Sequence, residues 1–333
     1  MTAGVWELLD FVARWIHVIA GIMWFGNSLL FNWLDRSLRP PNTAERGHEA
    51  LGTIWLLHSG GFYYVEKTLL RDEPVPVPLH WFKWQAYTTW LTGMALLIVV
   101  YYLSDRAVLT DPGVIGHAAG VVVGLGAIVI GWALYEVMQR IVAPRMPVVA
   151  AAGWTIAFVA ISIALMRLLS GRAAFLHVGA MLGTIMAGNV FFTIVPSQRE
   201  LVASVTGGGG DPAISARAKR VSIHNNYFAF PVIALMVSNH FPSIYGSRFS
   251  WLLLLAIIAA GVAVRYVLNL RFTWPAWKPA LAATIGVSVA ALYGILAIPS
   301  PARQQALANA PATVTFADAR HVIDRRCGVC HST

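Results

Sequence analysis

Residues 114–138 read VIGHAAGVVVGLGAIVIGWALYEVM, and this apolar stretch decides the class of fold. A helix needs about 20 mostly apolar residues to cross the hydrocarbon core of a bilayer. Gly116, Gly120 and Gly124 recur at every fourth residue, a spacing that lets a second helix backbone approach closely. The same spacing can leave room for a flat cofactor, although helix packing is the more common reason for it. The stretch therefore predicts a transmembrane helix packed against a neighbour.

Seven further stretches of the chain share this length and apolar character. The eight predicted helices cover residues 11–31, 85–103, 114–138, 148–168, 173–195, 224–240, 250–270 and 280–298. Of the 333 residues, 57% are hydrophobic and only 12% are charged, whereas a soluble domain carries about 25% charged residues. The composition therefore excludes an ordinary soluble protein. It predicts an all-α, polytopic membrane bundle of eight transmembrane helices over residues 1–298.

The positive charge of the chain is concentrated in the connections between the apolar stretches. With eight helices, loops 1, 3, 5 and 7 hold fourteen Lys and Arg residues, and loops 2, 4 and 6, counted with Arg167 at the end of the fourth helix, hold four. Positive loops stay in the cytoplasm, so both termini are predicted to be periplasmic in an inner (plasma) membrane protein. The positive loops that orient the chain in the lipid bilayer then account for the net charge of +9, and we expect no nucleic acid as a partner.

The sequence near its end reads Cys327-Gly328-Val329-Cys330-His331. Cys-x-x-Cys-His is the attachment site of a c-type haem, in which the two thiols bond to the porphyrin and the histidine supplies an axial nitrogen to the iron. A zinc site is the alternative, but it needs further Cys or His ligands nearby, and the chain has only 2 cysteines. The motif therefore predicts haem c, held by Cys327, Cys330 and His331.

The chain between the eighth helix and this motif has a different composition. Residues 299–312 are rich in Pro, Ala and Gln and predict a linker. In residues 313–333, Phe316, Ala319, Val322 and Ile323 share one face of a short helix leading into the motif, as at the start of a cytochrome c domain. Because the sequence stops two residues after His331, we expect this domain to be incomplete here.

Three histidines are predicted to lie at a similar depth, near the periplasmic ends of their helices: His17, His117 and His177. Polar groups within a bilayer are costly and are often functional. Such histidines can bond to a neighbouring helix, or they can supply axial ligands to a b-type haem close to haem c. Since the glycines of the third helix already explain its packing, we expect His17 and His177 to be the iron-binding pair.

A polar element, His224-Asn225-Asn226-Tyr227, opens the predicted sixth helix. These side chains can simply cap the helix, but a helix N-terminus with such groups also makes a polar cup for an anionic ligand. His58 lies on the same predicted side of the membrane, within residues 51–67. That segment is apolar but broken by glycine and too short to span, so we expect it to lie at the interface or to re-enter partway.

Four segments occur together with the haem motif: RWIHVIAGIMW (residues 14–24), GFYYVEK (61–67), KWQAYTTW (83–90) and HNNYF (224–228). In this combination the chain resembles the integral-membrane urate oxidase family, which joins an eight-helix domain to a C-terminal cytochrome c. The resemblance implies oxidation of urate to 5-hydroxyisourate. It also implies that the electrons pass to the fused c-type haem and then to a respiratory-chain cytochrome oxidase or a soluble cytochrome c.

The resemblance does not say which side chains act on urate, so position has to suggest them. We expect His224 to accept a proton, with His58 closing over the site, and Asn225, Asn226 and Tyr227 to hold the purine. Two other functions stay open. One is a b- and c-type membrane cytochrome that passes electrons from quinol or a partner dehydrogenase without a substrate site, and the other is a transporter with a fused cytochrome.

The charge asymmetry yields a prediction about topology. A reporter that is active only in the periplasm should be active when fused after Ser300, and a cytoplasm-active reporter fused there should be silent, because the odd loops hold the positive charge. Fusions after Arg145 should give the opposite pattern. Matching signals at the two positions would contradict the predicted topology.

Overall fold

The computed structural model describes residues 3–40, 50–68, 70, 74–103, 108–111, 113–205, 212–298 and 315–326. Within these residues the chain is mostly helical, as predicted. The first long helices are α1 (Ala3–Ser37), α2 (Trp84–Leu97), α3 (His117–Val137), α4 (Pro147–Leu168) and α5 (Gly171–Asn189). The remaining helices are α6 (Val195–Ser204), α7 (Pro212–Ser238), α8 (Pro242–Tyr245), α9 (Ser250–Leu270), α10 (Trp277–Ala297) and α11 (Phe316–Arg326).

Three of these helices continue into a turn of π-helix. The π-helical turns are Ile98–Tyr102 after α2, Met138–Val142 after α3 and Val190–Ile194 between α5 and α6. Each adds a residue to the helical repeat and so changes which side chains face the neighbouring helices. We call the end of the bundle where α3 and α5 begin the His117 end, and the opposite end, where α1 stops and α2 begins, the hairpin end.

A β-hairpin in the first loop corrects the expectation of an all-α chain, and the expectation that this segment lies at the interface or re-enters partway stays a prediction. Strands β1 (Ala50–His58) and β2 (Gly61–Thr68) pair antiparallel. The ring centres of Trp55 and Tyr64, which face each other across the two strands, lie 4.9 Å apart. Ser59 and Gly60 both have positive φ, the conformation of a two-residue type I′ turn. Lys67 binds Asp35 at 2.7 Å, which ties the hairpin to the end of α1.

The predicted sixth helix begins earlier than its apolar stretch. Helix α7 starts at Pro212, twelve residues before His224, so the His-Asn-Asn-Tyr element lies inside a helix and not at its N-terminus. Apolar length, the criterion used for predicting transmembrane helices, places the polar residues 212–223 in a loop. The free N–H groups on which the predicted anion cup relied are therefore absent at His224, whose turn is already hydrogen-bonded.

Seven helices in the described part of the chain are long and apolar enough to cross a membrane. They span Gly4–Ser37, His117–Val142, Pro147–Leu168, Gly171–Ser204, Ala216–Ser238, Ser250–Leu270 and Trp277–Ala297. The remaining predicted span, 85–103, forms α2 and its π-helical turn and is not among the seven. These helices are compatible with a membrane protein, and the eighth crossing stays a prediction.

Helix α5 lies at the centre of the bundle. It packs against α2, α3, α4 and α7, and Ala173, Phe175 and Met181 are fully buried on different sides of it. A helix that is apolar around its whole circumference belongs in such a position. By contrast, no residue of α10 is buried, so its apolar surface faces outward.

The glycines of α3 serve helix packing, as the more common interpretation had it. A Cβ atom at Gly124 would lie 2.6 Å from Nε2 of His177, and one at Gly131 would lie 2.2 Å from the sulfur of Met181. Both contacts are with α5. Close approach between α3 and the central helix thus requires glycine at these positions.

Of the region around the haem motif, the structure describes one short helix. In α11, Thr315 and Asp318 form a capping box: Oγ1 of Thr315 accepts from the Asp318 N–H, and the Asp318 carboxylate accepts from the Thr315 N–H at 2.9 Å. The hydrogen bonds from Thr315 lower the pKa of the Asp318 carboxyl. The predicted linker 299–312 and the ligands Cys327, Cys330 and His331 lie outside the described residues.

Substitution of Gly124 should test the α3–α5 contact. The Gly124→Ala variant should lose about 1–3 kcal/mol of stability, because the added methyl group meets a buried imidazole that cannot move aside. Thermal unfolding in detergent measures this loss. The matched control is Gly126→Ala, where a Cβ atom has no neighbour within 4 Å, and equal melting temperatures for the two variants would contradict the packing.

Candidate functional site

Helices α1, α2, α5 and α7 enclose a cavity of about 540 Å³. Its wall is mostly apolar and includes Gly21, Gly93 and Gly183. The polar lining residues are spread along its length. Arg14, Tyr101, Arg172, Asn239 and His240 line it toward the His117 end, His17 lies further in, and Asn225 lies toward the hairpin end. The cavity therefore connects two residue groups that the sequence had placed on opposite sides of the membrane.

The ring of His17 is held in one tautomer by α2. Its Nδ1 lies 2.9 Å from the carbonyl oxygen of Thr89 and 3.1 Å from Oγ1 of Thr92. A carbonyl can only accept, and the Thr92 hydroxyl already donates to a carbonyl at 2.6 Å, so Nδ1 carries the proton. Nε2 of His17 is left as a bare acceptor, and no hydrogen bond to it is found in the described residues.

The other two histidines of the predicted set lie nearer the His117 end and bond to Tyr102. His117 Nε2 is 3.1 Å from the Tyr102 carbonyl oxygen, and His177 Nε2 accepts from the Tyr102 hydroxyl at 2.7 Å. His177 Nδ1 donates to the carbonyl of Ala173, so both of its ring nitrogens have protein partners. Since His17 bonds to Thr92, ten residues earlier on the same helix, it lies deeper than the sequence predicted. The role of these histidines toward iron stays a prediction.

A hydrogen-bonded relay leads from the cavity to His224. The Asn225 side chain lines the cavity, donates to the Met186 carbonyl at 3.0 Å and accepts from Asn189 at 2.8 Å. Asn189 also donates to the Tyr135 hydroxyl at 3.0 Å, and that hydroxyl lies 2.8 Å from Nδ1 of His224. We call Asn225, Asn189, Tyr135 and His224 the amide–tyrosine relay. Tyr135 and Asn189 were not found by sequence reasoning, although each is an isolated polar residue in an apolar stretch.

The donors and acceptors of this relay are fixed by chemistry. The amide nitrogen of Asn189 can only donate, so the Tyr135 oxygen accepts from it and its single proton points to His224. In the neutral imidazole, His224 therefore accepts at Nδ1 and carries its own proton on Nε2. The free lone pair of this ring, at Nδ1, thus faces the Tyr135 hydroxyl.

Asn226 faces a different helix from Asn225, because successive residues of a helix point about 100° apart. Its Oδ1 accepts from Nε of Arg265 at 2.8 Å and from Asn269 at 3.0 Å, both on α9. Arg265 is 3% exposed, its Nη2 has no hydrogen-bond partner, and its guanidinium lies 5.5 Å from the ring centre of Phe230. The two amides that were predicted to hold one ligand thus serve two separate contacts.

The remaining predicted site residues are placed apart from the relay. His58 lies at the tip of the hairpin, where its Nδ1 is 2.8 Å from the Ser59 hydroxyl, and it is exposed. Tyr227 is half-buried on α7. The structure does not bring His58 to His224, and its predicted closing motion stays a prediction.

Metal-ligating clusters provide no alternative centre within the described ranges. No group of three or more His, Cys, Asp or Glu side chains there is placed to hold a metal ion. The ligands of the predicted haem c lie in residues 327–331, outside those ranges.

Comparison with known proteins gives one match. No curated protein and no solved structure matches the chain. The family model described as urate oxidase N-terminal matches residues 3–297, which include the cavity and the whole amide–tyrosine relay. The match extends over most of the sequence, and the chain belongs to the urate oxidase N-terminal family.

Proposed function

We propose that the chain is a membrane-bound oxidoreductase that converts urate to 5-hydroxyisourate. The family suggests urate as the substrate. In the balanced reaction, urate and one water molecule give 5-hydroxyisourate, two electrons and two protons. The observation that carries the proposal is the cavity whose wall includes Asn225, because its amide begins a hydrogen-bonded relay to a histidine.

The cavity suits a flat, hydrogen-bonding substrate. Its volume of about 540 Å³ lies within the range of about 300–1,000 Å³ typical of small-molecule sites. The Asn225 amide has two N–H groups, and one of them donates to Met186. The second is available for a carbonyl oxygen of the purine, while apolar side chains cover the faces of its rings. Asn226 supports the site indirectly by holding Arg265, and Tyr227 stays a predicted contact.

Positive charge at the hairpin end favours an anionic substrate. Glu136 pairs with Arg140 and lies 3.6 Å from Arg217, while Arg220 donates to the Gln139 carbonyl, so this end carries three guanidinium groups and one carboxylate. Urate is a monoanion at neutral pH, and an excess of positive charge raises the rate at which an anion reaches its site. If this end faces the cytoplasm, as the loop charges predict, substrate meets it directly.

His224 is proposed to receive a proton released in the reaction. Tyr135 already donates to His224 Nδ1, so a proton arriving at the phenol oxygen is transferred as the hydroxyl proton moves to the imidazole. The relay also fixes the position of the Asn225 amide through Asn189. A role in proton transfer lowers kcat, whereas a role in positioning alone raises KM.

The electrons are proposed to leave toward the C-terminal haem motif. When attached to Cys327 and Cys330, with His331 as axial ligand, haem c accepts single electrons and passes them to a cytochrome oxidase or a soluble cytochrome c. Purified full-length protein, urate and an artificial acceptor test the function directly. Quinol oxidation without urate turnover would instead identify an electron-transfer subunit.

Removal of the Tyr135 hydroxyl should separate the two roles of the relay. We expect Tyr135→Phe to lower kcat for urate by about 100-fold, because acid–base groups contribute at least that much. His224→Gln should match it, and both effects should shrink together as the pH is changed. Tyr266→Phe, on an exposed tyrosine of α9, is the control and should keep wild-type kinetics. A rise in KM at constant kcat would assign the relay to positioning alone.

The haem motif yields a separate prediction. Cys327→Ala should abolish covalent haem staining on a denaturing gel and the urate-dependent reduction of cytochrome c, because thioether attachment requires the paired thiols. Ser332→Ala, next to the motif, should keep both signals. Persistent staining in Cys327→Ala would contradict the assignment.

A further inference from the structure

The cavity has features at its His117 end that urate binding does not use. We propose that it binds a b-type haem whose iron takes Nε2 of His17 and whose carboxylate groups bind Arg172 and Tyr101. The inference goes beyond the proposed function and holds whichever substrate the protein oxidises. It places an electron carrier between the amide–tyrosine relay and the His117 end.

The tautomer and the hydrogen bonding of the His17 ring are those of a metal-ligating histidine. Histidines that bind metals nearly always donate their other ring N–H to a carbonyl or a carboxylate, which fixes the tautomer and orients the ring. His17 does this with the Thr89 carbonyl at 2.9 Å and leaves Nε2 bare in a cavity wall. Gly93 is required behind the ring, since a Cβ atom there would lie 3.0 Å from Cε1 of His17.

The carboxylates of haem have partners at the His117 end of the cavity. Tyr101 is 2% exposed and lines the cavity, yet its hydroxyl has no hydrogen-bond partner in the structure as described. Buried hydroxyl groups are nearly always paired, so this one points to a missing acceptor. Arg172 donates from Nε to Asn239, which leaves its terminal nitrogens for an anion, while Arg14 is paired with Asp10 at 2.8 Å.

The apolar wall of the cavity and the small number of protein ligands available to a metal favour a porphyrin over other occupants. A free metal ion is disfavoured, because no described cluster offers it three protein ligands, whereas a porphyrin brings four nitrogens of its own. A quinone could accept from Tyr101 and Arg172, but it has no use for the bare Nε2 of neutral His17, which cannot donate. The wall of the cavity is mostly apolar, as the faces of a porphyrin require.

His177 is not needed for this site, unlike in the pairing expected from the sequence. Its Nε2 already accepts from Tyr102, and the residue is fully buried against Gly124 of α3. A sixth iron ligand can come from α7, where Met236 and His240 both line the cavity. The proposed site thus uses His17 and leaves the Tyr102–His177 contact intact.

The test measures non-covalent haem in the full-length protein, purified in detergent after haem-replete expression. Acid acetone extracts b-type haem and leaves haem c on the polypeptide, and a pyridine haemochrome spectrum identifies the extracted pigment. The wild type, His177→Ala and the control His80→Ala should each yield one extractable haem per chain. His17→Ala should yield almost none, and Arg172→Gln should lower the yield. His17→Met should retain haem with an altered reduced spectrum, because it replaces one axial ligand by another.

Each outcome decides the proposal. Absence of extractable haem from the wild type, recovery of quinone in its place, or full haem content in His17→Ala would overturn it. If His17→Ala does not fold, the spectrum of His17→Met decides, since a structural histidine has no effect on an iron spectrum. Urate turnover measured on the same samples separates the two proposals: turnover without extractable haem leaves only the proposed function, and haem without turnover leaves only the b-type site.

Discussion

The Tyr135 hydroxyl joins the three helices on which the site depends. It accepts from Asn189 on α5 and donates to His224 on α7, while its own helix, α3, is held against α5 by glycine contacts. A buried polar group without a partner costs several kcal/mol in so apolar a bundle, so each of these side chains specifies the position of the next. Because α5 and α7 form two walls of the cavity, the hydrogen bonds of one phenol group constrain its shape.

The centres of the long helices could be predicted from the sequence, and their ends could not. Apolar length identifies the part of a helix that is surrounded by apolar material, and α9 coincides with its predicted stretch at 250–270. Apolar length predicts too short a helix for α7 because the first turns of α7 are polar, although nothing in residues 212–223 breaks a helix. The hairpin was missed since its segment was judged by length alone, whereas its Ser59-Gly60 turn between aromatic stretches is a hairpin signal.

Which residues of the site are polar could be predicted, but their partners could not. The sequence grouped Asn225 with Asn226 because they are adjacent, and the helix sends them to α5 and α9. Histidines can be recognised as candidates by their chemistry, whereas Tyr135, Asn189 and Arg265 are single polar residues in apolar stretches and are less conspicuous. Depth along a helix was estimated from loop positions, and helix α1, which begins at Ala3, places His17 deeper than that estimate. Pairing between distant helices requires the tertiary structure.

Two consecutive amide side chains of α7 bond to helices on two sides of it, Asn225 to α5 and Asn226 to α9. Any twist of α7 about its axis strains the Asn225 bonds to α5 and the Asn226 bonds to α9 at the same moment. On the α9 side, the Asn269 carbonyl accepts from Arg36 at 2.9 Å, next to Asp35, which holds the hairpin through Lys67. These contacts connect the cavity wall on α7, through α9, to the end of α1 that carries the hairpin.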